Sequence, residues 1–200
     1  MLISCKKSES GTIINDKEST KDVIFYGNNE AIKNDFAREN FEMGLSKIAE
    51  KDYKNALPYF LKAQKLEKRN VLISNSIANT EYALGNYKEA IEMMNLIILM
   101  DPTYTNSYSN FGQILIKEKH FAEAKEILLE GLNKGISTNL EHKAVLLLNL
   151  AISCNKLNQC NDSIKFATEA FKMTTNESLK KYANNCIKDS NKKKLSGKCN

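Results

Sequence analysis

The sequence predicts an all-α protein, built of repeated helical units. Three observations carry this. The 200 residues hold only 8 Gly and 2 Pro, too little turn chemistry for a sandwich of many short strands. Small and large apolar residues alternate at helical spacing. That pattern recurs every 34 residues, at Tyr53, Tyr87 and Phe121, which marks stacked like units.

The first copy reads Tyr53-x-x-Ala56-x-x-x-Phe60-x-x-Ala63, and the second Tyr87-x-x-Ala90-x-x-x-Met94-x-x-Ile97. The third reads Phe121-x-x-Ala124-x-x-x-Leu128-x-x-Gly131. Upstream of each stands a large-small pair: Met43-Gly44, Ile77-Ala78 and Phe111-Gly112. The small residues let two helices approach closely, and the large ones fill the space around that contact. Gly85 and Pro102 stand where a turn and a stop belong, and Pro58 is expected to bend the second helix of the first unit slightly.

This pattern resembles the tetratricopeptide repeat (TPR). The resemblance implies a right-handed α-α superhelix of four helix-turn-helix repeats plus a C-terminal capping helix. Repeats are expected at 37–70, 71–104 and 105–138, with a divergent fourth at 144–177. The fourth follows an insertion, Asn139 to Lys143. It keeps Leu150-Ala151, Ile164, Ala167 and Ala170, but has Cys160 at the aromatic position and Ser163 at the small one. Leu179, Tyr182, Ala183, Cys186 and Ile187 then follow helical spacing, so 178–190 is expected to cap the array.

The net charge of +5 does not describe the folded part. Lys192, Lys193, Lys194 and Lys198 supply +4 within 191–200, residues 1–22 are neutral, and +1 remains for 23–190. The last ten residues are expected to be a disordered basic tail, and nucleic acid is not an expected partner. The chain has no run of about 18 apolar residues that would cross a membrane as a helix.

Leu2-Ile3-Ser4-Cys5 resembles the lipobox of bacterial lipoproteins, whose Cys thiol receives the lipid. A Ser-, Lys-, Glu- and Asn-rich stretch, Lys6 to Asp22, follows as a tether would. A lipoprotein signal also carries a basic and then an apolar region ahead of the box. Only Met1 precedes Leu2, so the motif predicts an in-frame apolar run directly upstream. Residues 1–36 are thus expected to hold the lipobox-like start, a polar linker and an apolar island, Val23-Ile24-Phe25-Tyr26. That island is expected to pack on the open edge of the first repeat; its alternative resting place is the groove, as an internal pseudo-ligand.

By resemblance, a TPR array binds a peptide or protein segment in a concave groove lined by the first helix of each repeat. Repeat positions 2, 6, 9 and 13 share one face of that helix. The expected groove residues are Arg38, Asn75, Asn79, Tyr82, Asn106, Asn110, Gln113, Lys117, Asn149 and Lys156. The earlier first helices offer mostly apolar groups there, and the later ones add amides and two lysines. Asn110 and Asn149 resemble the asparagine ladder with which some TPR proteins grip peptide backbone, since one amide both donates and accepts. Lys117 and Lys156 suit an acidic stretch in the ligand. The two-carboxylate clamp of chaperone-binding TPRs is not reproduced, because Phe41 and Leu45 stand where it needs Lys and Asn.

Catalysis finds no support in the motifs. His120 and His142 lie apart with no ligand spacing, and neither a Gly-rich phosphate loop nor G-x-S-x-G is present. No cofactor or metal is expected. Cys154, Cys160 and Cys186 allow a disulfide if the chain is exported, but spacing does not select one. The expected function is a non-enzymatic interaction scaffold. It is expected in the bacterial cell envelope, held at a membrane by lipid on Cys5 and facing the periplasm or exterior. The alternative is a soluble cytoplasmic TPR adaptor or co-chaperone.

Overall fold

A computed structural model describes residues 32–134 and 139–199. Every secondary-structure element among them is helical: α1 (Asp35–Ala49), α2 (Tyr53–Leu66), α3 (Val71–Leu84), α4 (Tyr87–Met100), α5 (Thr105–Lys117), α6 (Phe121–Lys134), α7 (Leu140–Lys156), α8 (Cys160–Met173) and α9 (Glu177–Leu195). Successive helices pair as α1/α2, α3/α4, α5/α6 and α7/α8. The second helix of each pair also packs on the first helix of the next, and α9 packs on α8 and α7. This is the expected solenoid of four helix pairs and a terminal helix.

The small residues act as the pattern requires. A methyl added at Gly44 would lie 2.5 Å from the Phe60 ring, and one at Gly112 2.5 Å from Leu128. Gly131 is as tight, 2.4 Å from Cβ of Tyr108 on the neighbouring helix. Helix backbones so close exclude water, and the aromatic rings fill what remains; Phe41 and Phe60 are both fully buried, with centroids 5.4 Å apart. One apolar cluster runs from Ile32 through Phe41 and Phe60 to Ile77, and a second from Ala78 to Cys186. The two meet along α3.

The turn inside each pair is also periodic. Lys51, Gly85, Lys119 and Asn158 all have positive φ, between 59° and 90°. The next N–H reaches back to a carbonyl five residues earlier: Asp52 to Lys47 at 2.8 Å, Asn86 to Glu81 at 2.9 Å, His120 to Leu115 at 2.8 Å and Gln159 to Cys154 at 2.9 Å. Each first helix therefore ends in the same left-handed cap, and only Gly85 uses the residue that favours it. Several asparagines are helix caps. Asn34, Asn70, Asn139 and Asn176 each accept from backbone N–H groups of the helix that follows.

The C-terminal end differs from the expectation. α9 extends through Lys192, Lys193 and Lys194 to Leu195, where the sequence suggested a helix over 178–190 and then a disordered tail. Polar contacts with the fourth repeat account for the extra length. Lys193 donates to the Asn155 carbonyl at 2.6 Å and to Asn158 Oδ1 at 3.1 Å, and Lys194 donates to Asn161 Oδ1 at 2.9 Å. Further up, Asn155 donates to Ser190 Oγ at 2.7 Å and Ser190 to Ser163 Oγ at 2.9 Å. The three lysines also sit in the last turn, where the helix dipole favours positive charge.

A disulfide joins Cys160 to Cys199, with Cα atoms 5.7 Å apart. Cys160 opens α8, the place that Tyr53, Tyr87 and Phe121 take in α2, α4 and α6. Cys154 and Cys186 lie in the core outside this bridge, and burial pushes the Cys154 thiol up to about 11. The inserted residues before the fourth repeat lengthen α7 to 17 residues. There Glu141 accepts from the Thr175 N–H at 2.9 Å and from the Thr174 hydroxyl, tying the start of α7 to the end of α8. The lipobox-like Leu2–Cys5 and the island Val23–Tyr26 lie outside the described residues.

Candidate functional site: an amide-lined face across three repeats

The candidate site is the face formed by the first helices α3, α5 and α7. These sequences are rich in Ser, Thr and Asn that the fold buries. On α3, Ser74, Asn75, Ser76, Asn79 and Thr80 are all buried. On α5, Thr105 to Asn110 are buried in succession, and on α7 so are Asn149 and Ser153. By contrast α1 buries a single stripe, Ala37, Phe41 and Gly44.

Buried hydroxyls and amides need partners, and part of this set finds them in the scaffold. Ser76, Thr80 and Ser153 donate to carbonyls one turn back, at 3.1, 2.7 and 3.0 Å. Asn110 Nδ2 donates to Asn75 Oδ1 at 3.2 Å, from α5 to α3. Asn149 Nδ2 donates to the Ser109 carbonyl at 3.2 Å, from α7 to α5. Asn110 and Asn149 both stand at position 6 of their repeats, and each reaches position 5 of the repeat before. One amide proton of each thus links neighbouring repeats, leaving the second proton and the carbonyl for other use.

Among the described residues, four buried side-chain polar atoms have no hydrogen-bond partner: Asn75 Nδ2, Asn79 Nδ2, Thr105 Oγ1 and Ser109 Oγ, on α3 and α5. An unmatched buried donor costs about 1–3 kcal/mol, so the cluster is expensive unless an acceptor sits against it.

At the far end of α3, Tyr82 donates to Glu118 Oε1 at 3.3 Å. The Lys117 ammonium lies 5.8 Å from the centre of the Tyr82 ring, within cation–π range. Burial, reinforced by the Glu118 carboxylate, raises the Tyr82 phenol well above its usual pKa, so it stays a neutral donor. Asn106 is buried beside this face and Gln113 is half-buried. Lys156 is exposed at the end of α7, and Arg38, on α1, pairs with Asp35 one turn away. The structure therefore bonds Asn110 to Asn75 and Asn149 to the backbone of α5, and buries Asn79 on α3 with its amide nitrogen unmatched. Arg38 and Lys156 mark the outer ends of the array. Thr105 and Ser109 belong to the cluster and were missed in the sequence, although Ser109 stands at the same repeat position as Asn75.

Among the described residues, no group of three or more His, Cys, Asp or Glu side chains could hold a metal. No described helix is long and apolar enough to cross a membrane.

Paired helices with a shared left-handed turn, stacked in series, define an α-solenoid, the architecture of repeat proteins. Three of the repeats match the model of the tetratricopeptide repeat family, at residues 40–70, 73–104 and 105–133. The pair α7/α8 repeats the geometry beyond those matches. No curated protein matches the chain in sequence. Solved structures share the fold at low identity. PilF of Pseudomonas aeruginosa superposes with a TM-score of 0.68 at 15% identity, covering 82% of this chain and 71% of that one. A thermophilic TPR protein of Thermus thermophilus gives 0.64 at 16%, covering 75% and 80%. PilW, described as a widely conserved type IV pilus biogenesis factor, gives 0.61 at 16%, covering 79% and 77%.

Proposed function

We propose that this protein is a non-enzymatic scaffold that holds an extended peptide or protein segment against α3, α5 and α7. One observation carries the reading: Asn75, Asn79, Thr105 and Ser109 present buried polar atoms without partners on adjacent first helices. A peptide backbone supplies carbonyls to the amide protons of Asn75 and Asn79, and N–H groups to the hydroxyl oxygens of Thr105 and Ser109. Lys117, held near the Tyr82 ring, suits an acidic side chain at the α5 end of that segment, and Lys156 extends the same preference along α7.

The scaffold works outside the cytoplasm, tethered through lipid on Cys5. The Cys160–Cys199 bridge supports this, since structural disulfides persist in oxidising compartments. The likeness to PilW, a pilus biogenesis factor, is in keeping with an envelope setting.

Two measurements test the reading. Peptide segments selected on the full chain from a phage-displayed library should bind more weakly to Asn75→Ala and Asn79→Ala, and more weakly as salt is raised. Selected binders indifferent to both substitutions would remove the groove reading. For the tether, palmitate incorporated in cells should be lost in Cys5→Ala; equal labelling of the two chains, or none in either, would remove it and favour the untethered adaptor.

A further inference from the structure

α9 ends the array. It packs on α8 and α7, and no later helix covers its other side among the described residues. Its inward stripe is Leu179, Ala183, Cys186 and Ser190, all buried. The opposite stripe is Lys181, Lys188, Lys192 and Leu195. At helical pitch these four fall within about 40° of one direction, along about 21 Å of axis. All are exposed, Leu195 by 91%. Asn184 and Asn185 fill the stretch after Lys181, and no acid falls on this stripe between Lys181 and Leu195.

The charge of the protein is concentrated here. Residues 177–199 hold seven lysines against Glu177 and Asp189, a balance of +5. That is the net charge of the whole chain, so the residues ahead of 177 sum to zero. Several lysines elsewhere are answered by an acid one turn away, as in Lys47–Glu50 and Lys134–Glu130. Lys180 is likewise paired with Glu177. Lys181, Lys188, Lys192 and Lys198 make no ion pair among the described residues.

The face is also held in place. Gly197, with a φ of 69°, ends α9 in a left-handed cap, where the Lys198 N–H reaches the Lys193 carbonyl at 3.0 Å. The Cys160–Cys199 bridge and the bond from Lys194 to Asn161 fasten this end to α8. The ammonium groups thus stand on a capped helix at fixed spacing.

The composition of the face selects among anions. Nucleic acid recognition draws on Arg forks and on exposed rings for base stacking. Residues 177–199 contain no Arg, and their one aromatic, Tyr182, is half-buried. A polyanion in solution leaves Leu195 in water. A bilayer surface takes both kinds of group, since ammoniums meet headgroup phosphates and an exposed Leu enters the acyl boundary.

We propose that the outer face of α9 is a docking surface for an anionic phospholipid bilayer. Lys181, Lys188, Lys192 and Lys198 meet the headgroups, and Leu195 supplies an apolar contact. This surface is separate from the groove and from Cys5 and depends on neither. It sets the last repeat of the array against the bilayer.

The experiment uses the full chain carrying Cys5→Ala, so that no acyl chain contributes. It is sedimented with vesicles of phosphatidylcholine alone, and with vesicles in which about a third is phosphatidylglycerol. Binding is expected to the anionic vesicles only, and it should fall as salt is raised. Each lysine near the surface is worth about fivefold in affinity. Lys181→Gln/Lys188→Gln/Lys192→Gln should therefore weaken binding about a hundredfold, and Leu195→Ser alone roughly threefold. Lys54→Gln/Lys62→Gln/Lys65→Gln, which removes the same charge from exposed positions of α2, should leave binding unchanged. Matching thermal unfolding of the two triple variants shows that both are folded. Equal losses in the two triple variants would overturn the proposal, because net charge and not this face would then be responsible. Equal binding to both kinds of vesicle, or binding to neither, also overturns it. So does binding to duplex DNA as tight as to anionic vesicles with Leu195→Ser without effect, which would make the face an unselective polyanion site.

Discussion

Asn110 on α5 donates its side-chain amide to Asn75 on α3, at 3.2 Å and across one repeat. Both side chains are buried. Asn149 makes the equivalent reach from α7 to the Ser109 carbonyl. The repeats are thus joined on the face proposed for binding by hydrogen bonds as well as by apolar contact.

Replacing Asn110 with Ala leaves Asn75 Oδ1 buried without its donor. The expected loss is about 1–3 kcal/mol, read as a lower midpoint in urea unfolding. Asn75→Ala and Asn110→Ala should be non-additive, because the second change removes a group the first has already orphaned. Lys156→Ala, at an exposed position, should move stability by less than about 0.5 kcal/mol. Strict additivity of the two asparagine variants would show that the bond does not couple the repeats.

The left-handed turns offer a gain in stability. Lys119 has a φ of 66° where the second repeat has Gly85 at 90°. A side chain in that conformation costs about 1–2 kcal/mol, while Gly carries an entropic penalty of about 0.5–1 kcal/mol. Lys119→Gly should therefore stabilise by about 0.5–1 kcal/mol, and Gly85→Ala should destabilise by a similar amount. Calorimetry on the two variants reads opposite shifts in Tm if the shared cap sets the cost.

Gly131 is the tightest of the helical glycines. Its added methyl would meet Cβ and Cγ of Tyr108, atoms anchored to the backbone of α5, and Tyr108 is further held by its hydroxyl bond to the Pro102 carbonyl at 2.9 Å. Gly131→Ala should cost about 1–3 kcal/mol despite the better helix propensity of Ala. At Gly112 the clash is with the movable end of Leu128, so Gly112→Ala should cost less. The reverse order of the two midpoints would refute the assignment of rigidity.

The Cys160–Cys199 bridge closes a separation of 39 residues. Reduction, or Cys199→Ser, should destabilise by about 2–4 kcal/mol. The loss should appear first as faster hydrogen exchange in α9 and α8, since each repeat depends chiefly on its neighbours. Protection unchanged in α9 after reduction would show that Lys193, Lys194 and Ser190 hold it without the bridge.

The architecture was legible in the sequence because the contacts that build a solenoid are local. Gly44 with Phe60 and Gly112 with Leu128 lie within one helix pair, and the 34-residue period repeats the same solution, so spacing alone implies the packing. The asparagines at positions 5 and 6 were groove candidates only through the family resemblance, since their bonds run between repeats. Other features depend on which distant surfaces meet. The partner of Cys160 is Cys199, because α9 folds back along α8. Lys193 and Lys194 are helical because Asn155, Asn158 and Asn161 receive them. Asn75 and Asn110 are buried and bonded because consecutive first helices pack at a particular distance. Periodicity specifies each unit and its stacking direction. Only the assembled stack decides which polar groups are shielded from water, which find partners across repeats, and which are left without one.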